Sequence, residues 1–374
     1  MRAIARILLL ILGAGLFPAC GKGGGNGGAS ASGQVVPRFV YVANHGASNI
    51  SAFTIDASTG ALTAVAGSPF ASGSGPNFLT SDPAGQFLYV ANANSNNVSA
   101  YTIDASTGAL AAVTGSPFTA GSQPNFVAVD PLGRFAYVAN FTSGDVSAFT
   151  IDPTTGALTA VAGSPFASGA FASSVAVDRT GQFAYVTNFD FSTISAYSID
   201  SSTGALTQIS GSPYSVGGGP YFGATSPTAS FLFWANYGTN NVSSYAINTS
   251  TGALTAVTSS PFASGTAPIS VAIHSTGQFA YAANANSNDV SAYTIDSATG
   301  ALTAMSGSPY AVGMKPVCIS ADPAGQFVYV SNQNTSNVSA FSVDASTGAL
   351  TAVAGSPFPV GSTPAGVVAV GKIR

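Results

Sequence analysis

Residues 124–169 read PNFVAVDPLGRFAYVANFTSGDVSAFTIDPTTGALTAVAGSPFASG, and this stretch decides the fold. Four short runs rich in Val, Ile, Phe and Tyr lie in it: Asn125 to Val129, Arg134 to Ala139, Val146 to Ile151 and Leu158 to Val161. Each is bounded by Gly, Pro, Asp or Ser, the pattern of strands joined by tight turns. Asp130-Pro-Leu-Gly133 sets φ with its proline and allows a positive φ at its glycine, and Asp152-Pro-Thr-Thr-Gly156 does comparable work between the third and fourth runs.

Outward from this stretch, the same unit recurs seven times with a period of 48 residues, marked by Tyr41, Tyr89, Tyr137, Tyr185, Phe233, Tyr281 and Tyr329. Four strands in such a repeat make a propeller blade, a unit that cannot bury its apolar faces alone. The expected fold is therefore all-β: a seven-bladed β-propeller with four antiparallel strands per blade. The first unit opens at Arg38-Phe39-Val40-Tyr41 without a first strand, and the chain ends with a first strand, Pro364 to Val370, that has no blade. The C-terminal strand is expected to complete the N-terminal blade, which removes two open sheet edges.

Composition agrees and excludes several functions. Hydrophobic residues make up 46% of the 374-residue chain and charged residues 6%, and glutamate is absent. The net charge of −4, with no basic run beyond the N-terminus, gives no footprint for phosphate backbones, so nucleic acid is not an expected partner. No His/Cys/Asp/Glu cluster has ligand spacing, so neither metal nor cofactor is expected. Ten of the thirteen aspartates sit in copies of the two turns, leaving Asp145, Asp190 and Asp289.

Residues 1–19 have the layout of a targeting segment, with Arg2 and Arg6 ahead of the apolar run Ile7 to Phe17. They resemble a lipoprotein signal peptide in which Cys20 is the lipidated residue, with ordinary signal cleavage the alternative because Phe17-Pro18-Ala19 departs from the usual pattern at two of three positions. Residues 20–37 form a Gly/Ser-rich tether and 38–374 the propeller. This organisation places a monomer at the bacterial cell envelope, in the outer membrane or periplasm and open to surface exposure, with the lipid as its only membrane contact. The other cysteine, Cys318 in Val317-Cys318-Ile319, reads as a small buried filler.

The runs Tyr-Val-Ala-Asn at 41–44, 89–92 and 137–140, Tyr-Val-Thr-Asn at 185–188, and the recurring Thr-Gly-Ala-Leu resemble the YVTN-repeat and lactonase-type seven-bladed propellers. The resemblance spans residues 38–370. It implies a group that includes sugar-lactone hydrolases, a cycloisomerase and surface proteins without known chemistry. It also implies catalytic His, Glu and Arg at the channel mouth, where this chain offers no Glu, and only His45 on the expected face. His274 takes the Asp position of a first-to-second turn, on the opposite face.

On the ligand face of such a propeller stand the second-to-third loops and the loops leading into each first strand. Asn44, Asn92, Asn140, Asn188, Asn236, Asn284 and Asn332 open the former without exception, and are expected to satisfy backbone groups in the turn. Departures from the repeat mark the expected ligand site: Phe141, Phe171, Phe189, Tyr221, Phe222 and Tyr237, with Phe191 and Trp234 close by. Contiguous aromatics of this kind suit sugars, apolar ligands or protein partners. His45, Asp190 and Lys315 are the weak catalytic candidates, set on distant blades in the linear order. The leading expectation is a binding or interaction module for a glycan or an envelope protein. A 6-phosphogluconolactonase-type hydrolase using the same face is the first alternative, and a purely structural surface protein, with Phe141, Phe189 and Tyr237 packed away, is the second.

Overall fold

The Phe-x-(Tyr/Phe)-x-(Ala/Thr/Ser)-Asn run at the centre of every repeat is largely apolar on both faces, so it can only lie between two neighbouring sheets. In the computed structural model, which describes residues 35–373, all six residues from Phe135 to Asn140 are buried, as are their counterparts in the other repeats. The signal segment, Cys20 and the tether up to Gln34 lie outside the described residues. Blades are numbered here by their marker residue, from Tyr41 in blade one to Tyr329 in blade seven.

Blade three shows the pattern: an inner strand Pro124–Val129, a second strand Phe135–Asn140, a third Asp145–Ile151, and an outer strand Leu158–Ala160, paired antiparallel in that order. The outer strand differs from its sequence reading. It breaks after Ala160 and resumes as Phe166–Ala167, which pairs with the head of the third strand. At the break, Ser164 Oγ accepts the Ala148 N–H at 2.9 Å and Val161 N–H donates to the Ala148 carbonyl at 2.9 Å, so the third strand loses no partner. The turn aspartates behave as expected: Asp130 Oδ1 accepts the N–H groups of Arg134 and Phe135, and Asp152 Oδ1 those of Thr154 and Thr155.

The core lies between blades rather than within them. Phe87 and Tyr89 of blade two pack with Val138 and Phe149 of blade three, and the other seams repeat the arrangement. Each marker tyrosine donates its hydroxyl to the carbonyl of the turn glycine one blade on, as Tyr41 to Gly108 at 2.9 Å and Tyr137 to Gly204 at 3.0 Å. That glycine has φ of 74–77° at Gly60, Gly108, Gly156 and Gly204, and a Cβ there would collide with the phenylalanine two positions before the tyrosine.

Closure follows the expected route. Val35–Asn44 pairs antiparallel with Pro364–Ile373, so the C-terminal strand is the inner strand of blade one, and Tyr329 donates to Gly60 at 3.3 Å across the seam. The N-terminal strand begins at Val35, within the segment read as tether.

Blade five keeps the inter-blade bond by different means. Phe233 has no hydroxyl, but Ser244, directly opposite it on the third strand where other blades carry alanine, donates to Gly300 at 2.8 Å. The Tyr/Ala pair has become Phe/Ser, with the hydroxyl moved across the ladder. Ser244→Ala alone is expected to strand the buried Gly300 carbonyl and cost about 1–3 kcal/mol in urea unfolding. Adding Phe233→Tyr should recover most of that loss, and a strictly additive double variant would contradict the exchange. Removal of residues 364–374 should abolish the cooperative thermal transition, since it opens blade one along the full ladder between Val35–Asn44 and Pro364–Ile373.

Candidate functional site

The ligand face is built from two loops per blade that are bonded to each other. The residue after each recurrent asparagine donates its N–H to the carbonyl just before the inner strand: His45 to Thr363, Phe141 to Gln123, Phe189 to Phe171, Tyr237 to Gly219 and Gln333 to Lys315, all within 2.9–3.0 Å. That accepting residue has positive φ in all seven blades, including Phe171 at 60°, Lys315 at 56° and Thr363 at 46°. Non-glycine residues at these angles carry a steric cost, so the loop fixes their side chains firmly.

The asparagine ring has a different role from the expected one. Asn44 Nδ2 donates to Asn49 Oδ1 at 2.8 Å and to Ser51 Oγ at 2.9 Å, and the other six copies bond the equivalent side chains at the head of the third strand. The amides therefore brace side chains, not turn backbone. Asp145 and Asp289 are absorbed by this brace as acceptors from Asn140 and Asn284 at 2.7 Å.

The aromatic residues fall into two groups. Phe141 and Phe171 pair with ring centroids 5.0 Å apart. The second group is a continuous row: Tyr237 to Phe189 at 6.1 Å, Phe189 to Tyr221 at 5.5 Å, Tyr221 to Phe222 at 4.6 Å. Tyr237 is exposed at 37%, Phe189 and Tyr221 are partly buried, and Phe222 is buried. Phe191 points outward, 64% exposed, while Trp234 is fully buried in the seam between blades four and five and contributes nothing to the surface.

At its inner end the row meets two residues not singled out from the sequence. Phe78 and Phe126 stack at 3.7 Å and both pack on Phe222, at 5.5 and 5.2 Å, forming a three-ring plug. Other blades carry Ser174, Ser270, Cys318 and Gly366 at this position, which leaves room for three rings. A cavity of about 280 Å³ lies against the plug within the channel, lined largely by Val, Ile and Ala of the inner strands and by Cys318. Cys318 is buried, its Sγ is 3.7 Å from the Val367 carbonyl, and burial pushes the thiol up to about 11, which fits the filler reading.

Phe222 also lines a second cavity of about 140 Å³ at the mouth. Tyr221, Ile269, Val317 and Ala365 give it an apolar wall; Asn77, Lys315 and Gln333 supply its polar groups. Asn77 donates to Asn125 Oδ1 at 2.6 Å and Asn125 to the Ser173 carbonyl at 2.8 Å, so a chain of amides holds the rim of blades two to four. Burial raises the pKa of the Tyr221 phenol, with a hydrogen bond to Asn125 opposing it. This hydroxyl is a neutral donor at physiological pH.

The structure thus unites Tyr221, Phe222 and Lys315 in one cavity, and leaves Phe141, Phe171 and Asp190 outside its lining. Asp190 is exposed on blade four. Ring closure makes blades seven and one neighbours, so Lys315 and His45 are closer in the ring than in the linear order. His45 lies beside Gly75, two residues before Asn77; its Nδ1 is buried without a partner, and burial lowers its pKa. His274 is buried on the turn face, bonded to the Gly325 carbonyl at 2.7 Å and to Thr276 Oγ1 at 2.8 Å. Among the described residues the one ion pair is Arg134–Asp130 at 3.1 Å, on that same turn face, and no group of three His, Cys, Asp or Glu is placed to hold a metal.

Solved structures share this fold at low identity. A candidate 6-phosphogluconolactonase from Bacteroides fragilis superposes with a TM-score of 0.77 at 20% identity, covering 91% of this chain and 99% of its own. One from Bacteroides uniformis gives 0.78 at 18%, covering 89% and 99%. The periplasmic gluconolactonase of Pseudomonas aeruginosa gives 0.76 at 21%, again covering 89% and 99%. No curated protein matches the chain. The family model described as "Lactonase, 7-bladed beta-propeller" matches residues 22–117, 118–271 and 262–367, and the chain belongs to that family.

Proposed function

We propose that this lactonase-family propeller is an exported, lipid-anchored protein of the bacterial cell envelope that binds a sugar-sized ligand at its mouth. The observation that carries the reading is the single cavity joining Lys315, Gln333 and Asn77 to the rings of Tyr221 and Phe222. A sugar ring has an apolar face and a hydroxylated edge. The face suits Tyr221 and Phe222, while the edge suits the two amides, and a carboxylate or carbonyl oxygen suits the Lys315 ammonium. A terminal sugar of an envelope glycan meets these demands.

A second reading, hydrolysis of a sugar lactone in the same cavity, is favoured by family membership and by the lactonase neighbours. Lactone opening needs a base to deprotonate the attacking water and a group to hold the developing oxyanion. Lys315 fits the second role. For the first, the nearest imidazole is His45, beside the rim at Gly75, and no carboxylate lines the cavity.

Calorimetric titration with gluconate, glucono-1,5-lactone and a panel of mono- and oligosaccharides tests both. Binding is expected for at least one of them, weakened at least about tenfold, or 1.4 kcal/mol, by Tyr221→Ala and by Lys315→Ala. Lactone opening above the buffer rate and lost in His45→Ala would replace the binding reading with the hydrolase. Neither binding nor turnover would leave a structural role. Incorporation of labelled palmitate, abolished in Cys20→Ala, is the expected sign of the anchor, and an unlabelled native protein would remove it.

A further inference from the structure

Blade five departs from the repeat in a way that bears on the mouth. In the other six blades the inner and second strands meet through an aliphatic pair at one register position, such as Leu79 with Val90, Val127 with Val138 and Ile319 with Val330. In blade five that pair is Gly223 with Trp234. The exchange is steric. A Cβ at Gly223 would collide with the indole Cε3 and lie 2.6 Å from the Phe233 carbonyl, so the indole occupies the volume that the missing side chain vacates.

The ladder records the consequence. In blades two, three, four, six and seven the residue two beyond the start of the inner strand pairs across to the second strand, as Phe126 does with Ala139. All of these blades carry a one-residue bulge just before that pair. In blade five no such pair forms between Phe222 and Ala235, and the bulge widens from Pro220 to Gly223. Blade one shares this gap, where the corresponding residue is Gly366, packed against the backbone of Phe78. Only blade five gives two successive inner-strand residues, Tyr221 and Phe222, to the mouth cavity. The Tyr221 carbonyl, freed from the ladder, accepts hydroxyls of Ser174 and Thr187 on blade four, each at 2.9 Å.

We infer that Gly223 and Trp234 are a positioning pair which sets the size and selectivity of the mouth: the indole wedge widens, in blade five, the bulge that every blade carries, and the widened bulge turns Tyr221 and Phe222 into the cavity. The selectivity part rests on the ligand-binding reading given above; the bulge part stands without it. Trp234 touches no ligand in this arrangement, and its Nε1 is buried without a partner, so the indole acts by shape and not by a hydrogen bond.

The test is the double variant Gly223→Val/Trp234→Val, which installs the pair of blade three. Each single substitution is expected to lower the thermal midpoint, Gly223→Val by collision and Trp234→Val by leaving a void, while the double variant recovers toward the native value. A crystal structure of the double variant is expected to show Phe222 paired with Ala235 and Tyr221 withdrawn from the cavity. A Phe222 still unpaired with Ala235 in that structure overturns the inference, whatever the protein binds. Trp234→Phe, which keeps a ring in place, is expected to retain both the bulge and the native binding. Calorimetry with the sugar-lactone and saccharide panel then reads selectivity: a change of at least tenfold in the ratio of two affinities in the double variant supports the inference. Unchanged ratios with a restored ladder overturn its selectivity half, and a native protein that binds none of the panel removes the binding reading while the crystal structure still decides the bulge.

Discussion

A hydroxyl reaching from one blade into the turn of the next is the contact on which the ring depends. Six tyrosines and Ser244 supply it, each donating to the carbonyl of a turn glycine on the following blade. The carbonyl is buried and needs a donor; the glycine must be glycine because a phenylalanine ring of the previous blade lies where a Cβ would project. At the six tyrosine joints the strand that ties the blades together therefore also forbids a side chain on the accepting glycine. Within the chain the contact spans 67 residues from a tyrosine and 56 from Ser244, and at closure Tyr329 makes it with Gly60, 269 residues back. Chain order and ring order thus meet in one repeated bond, and blade five shows that the bond, not the tyrosine, is what the architecture requires.

Much of this was legible in the repeat. The period, the turn aspartates and the orphan strands at the two ends give blade number and closure, because turns and alternation are local properties that the chain writes down seven times. The break in the outer strand was not legible, since Ser164 and Phe166 read as loop until Ser164 Oγ is seen to stand in for a strand partner. The asparagine ring reads as bonding backbone because turn asparagines usually do. Its true acceptors lie five and seven positions on, as at Asn49 and Ser51, a spacing present in every copy. Phe78 and Phe126 were also within reach: three copies carry Phe where four carry Ser, Cys or Gly, and only the closed ring turns that difference into a plug. Asn77 and Gln333 carried no local signal. They matter through Lys315 and Tyr221, which come from other blades.

Against the uniform frame, the mouth is asymmetric in a chemically useful way. Lys315 and Gln333 stand on blade seven and Asn77 on blade two, while the aromatic row descends from Tyr237 through Phe189 and Tyr221 to Phe222. A pocket with a polar arc and an apolar wall selects ligands by orientation as well as by composition, because only one way round satisfies both. Blade five supplies both rings of the wall, and it is also the blade whose core pair, marker residue and first turn have all changed, at Gly223, Phe233 and Ser226. Such concentration of change in one repeat is what a closed ring permits. Six regular blades hold the geometry while the seventh is reshaped.

Closure by a terminal strand gives the molecule a directional mechanical response. Val35 is opposite Ile373 and Asn44 is opposite Pro364, so the outer ends of these two strands lie together at the turn face and the ladder between them runs up to the mouth. Pulling the two ends apart would load this ladder one hydrogen bond at a time, like a zip. A force applied between the N-terminal end and something held at the mouth runs along the strand instead and loads every bond of the ladder in shear. The ladder therefore resists best a force that runs along the first strand from the turn face to the mouth.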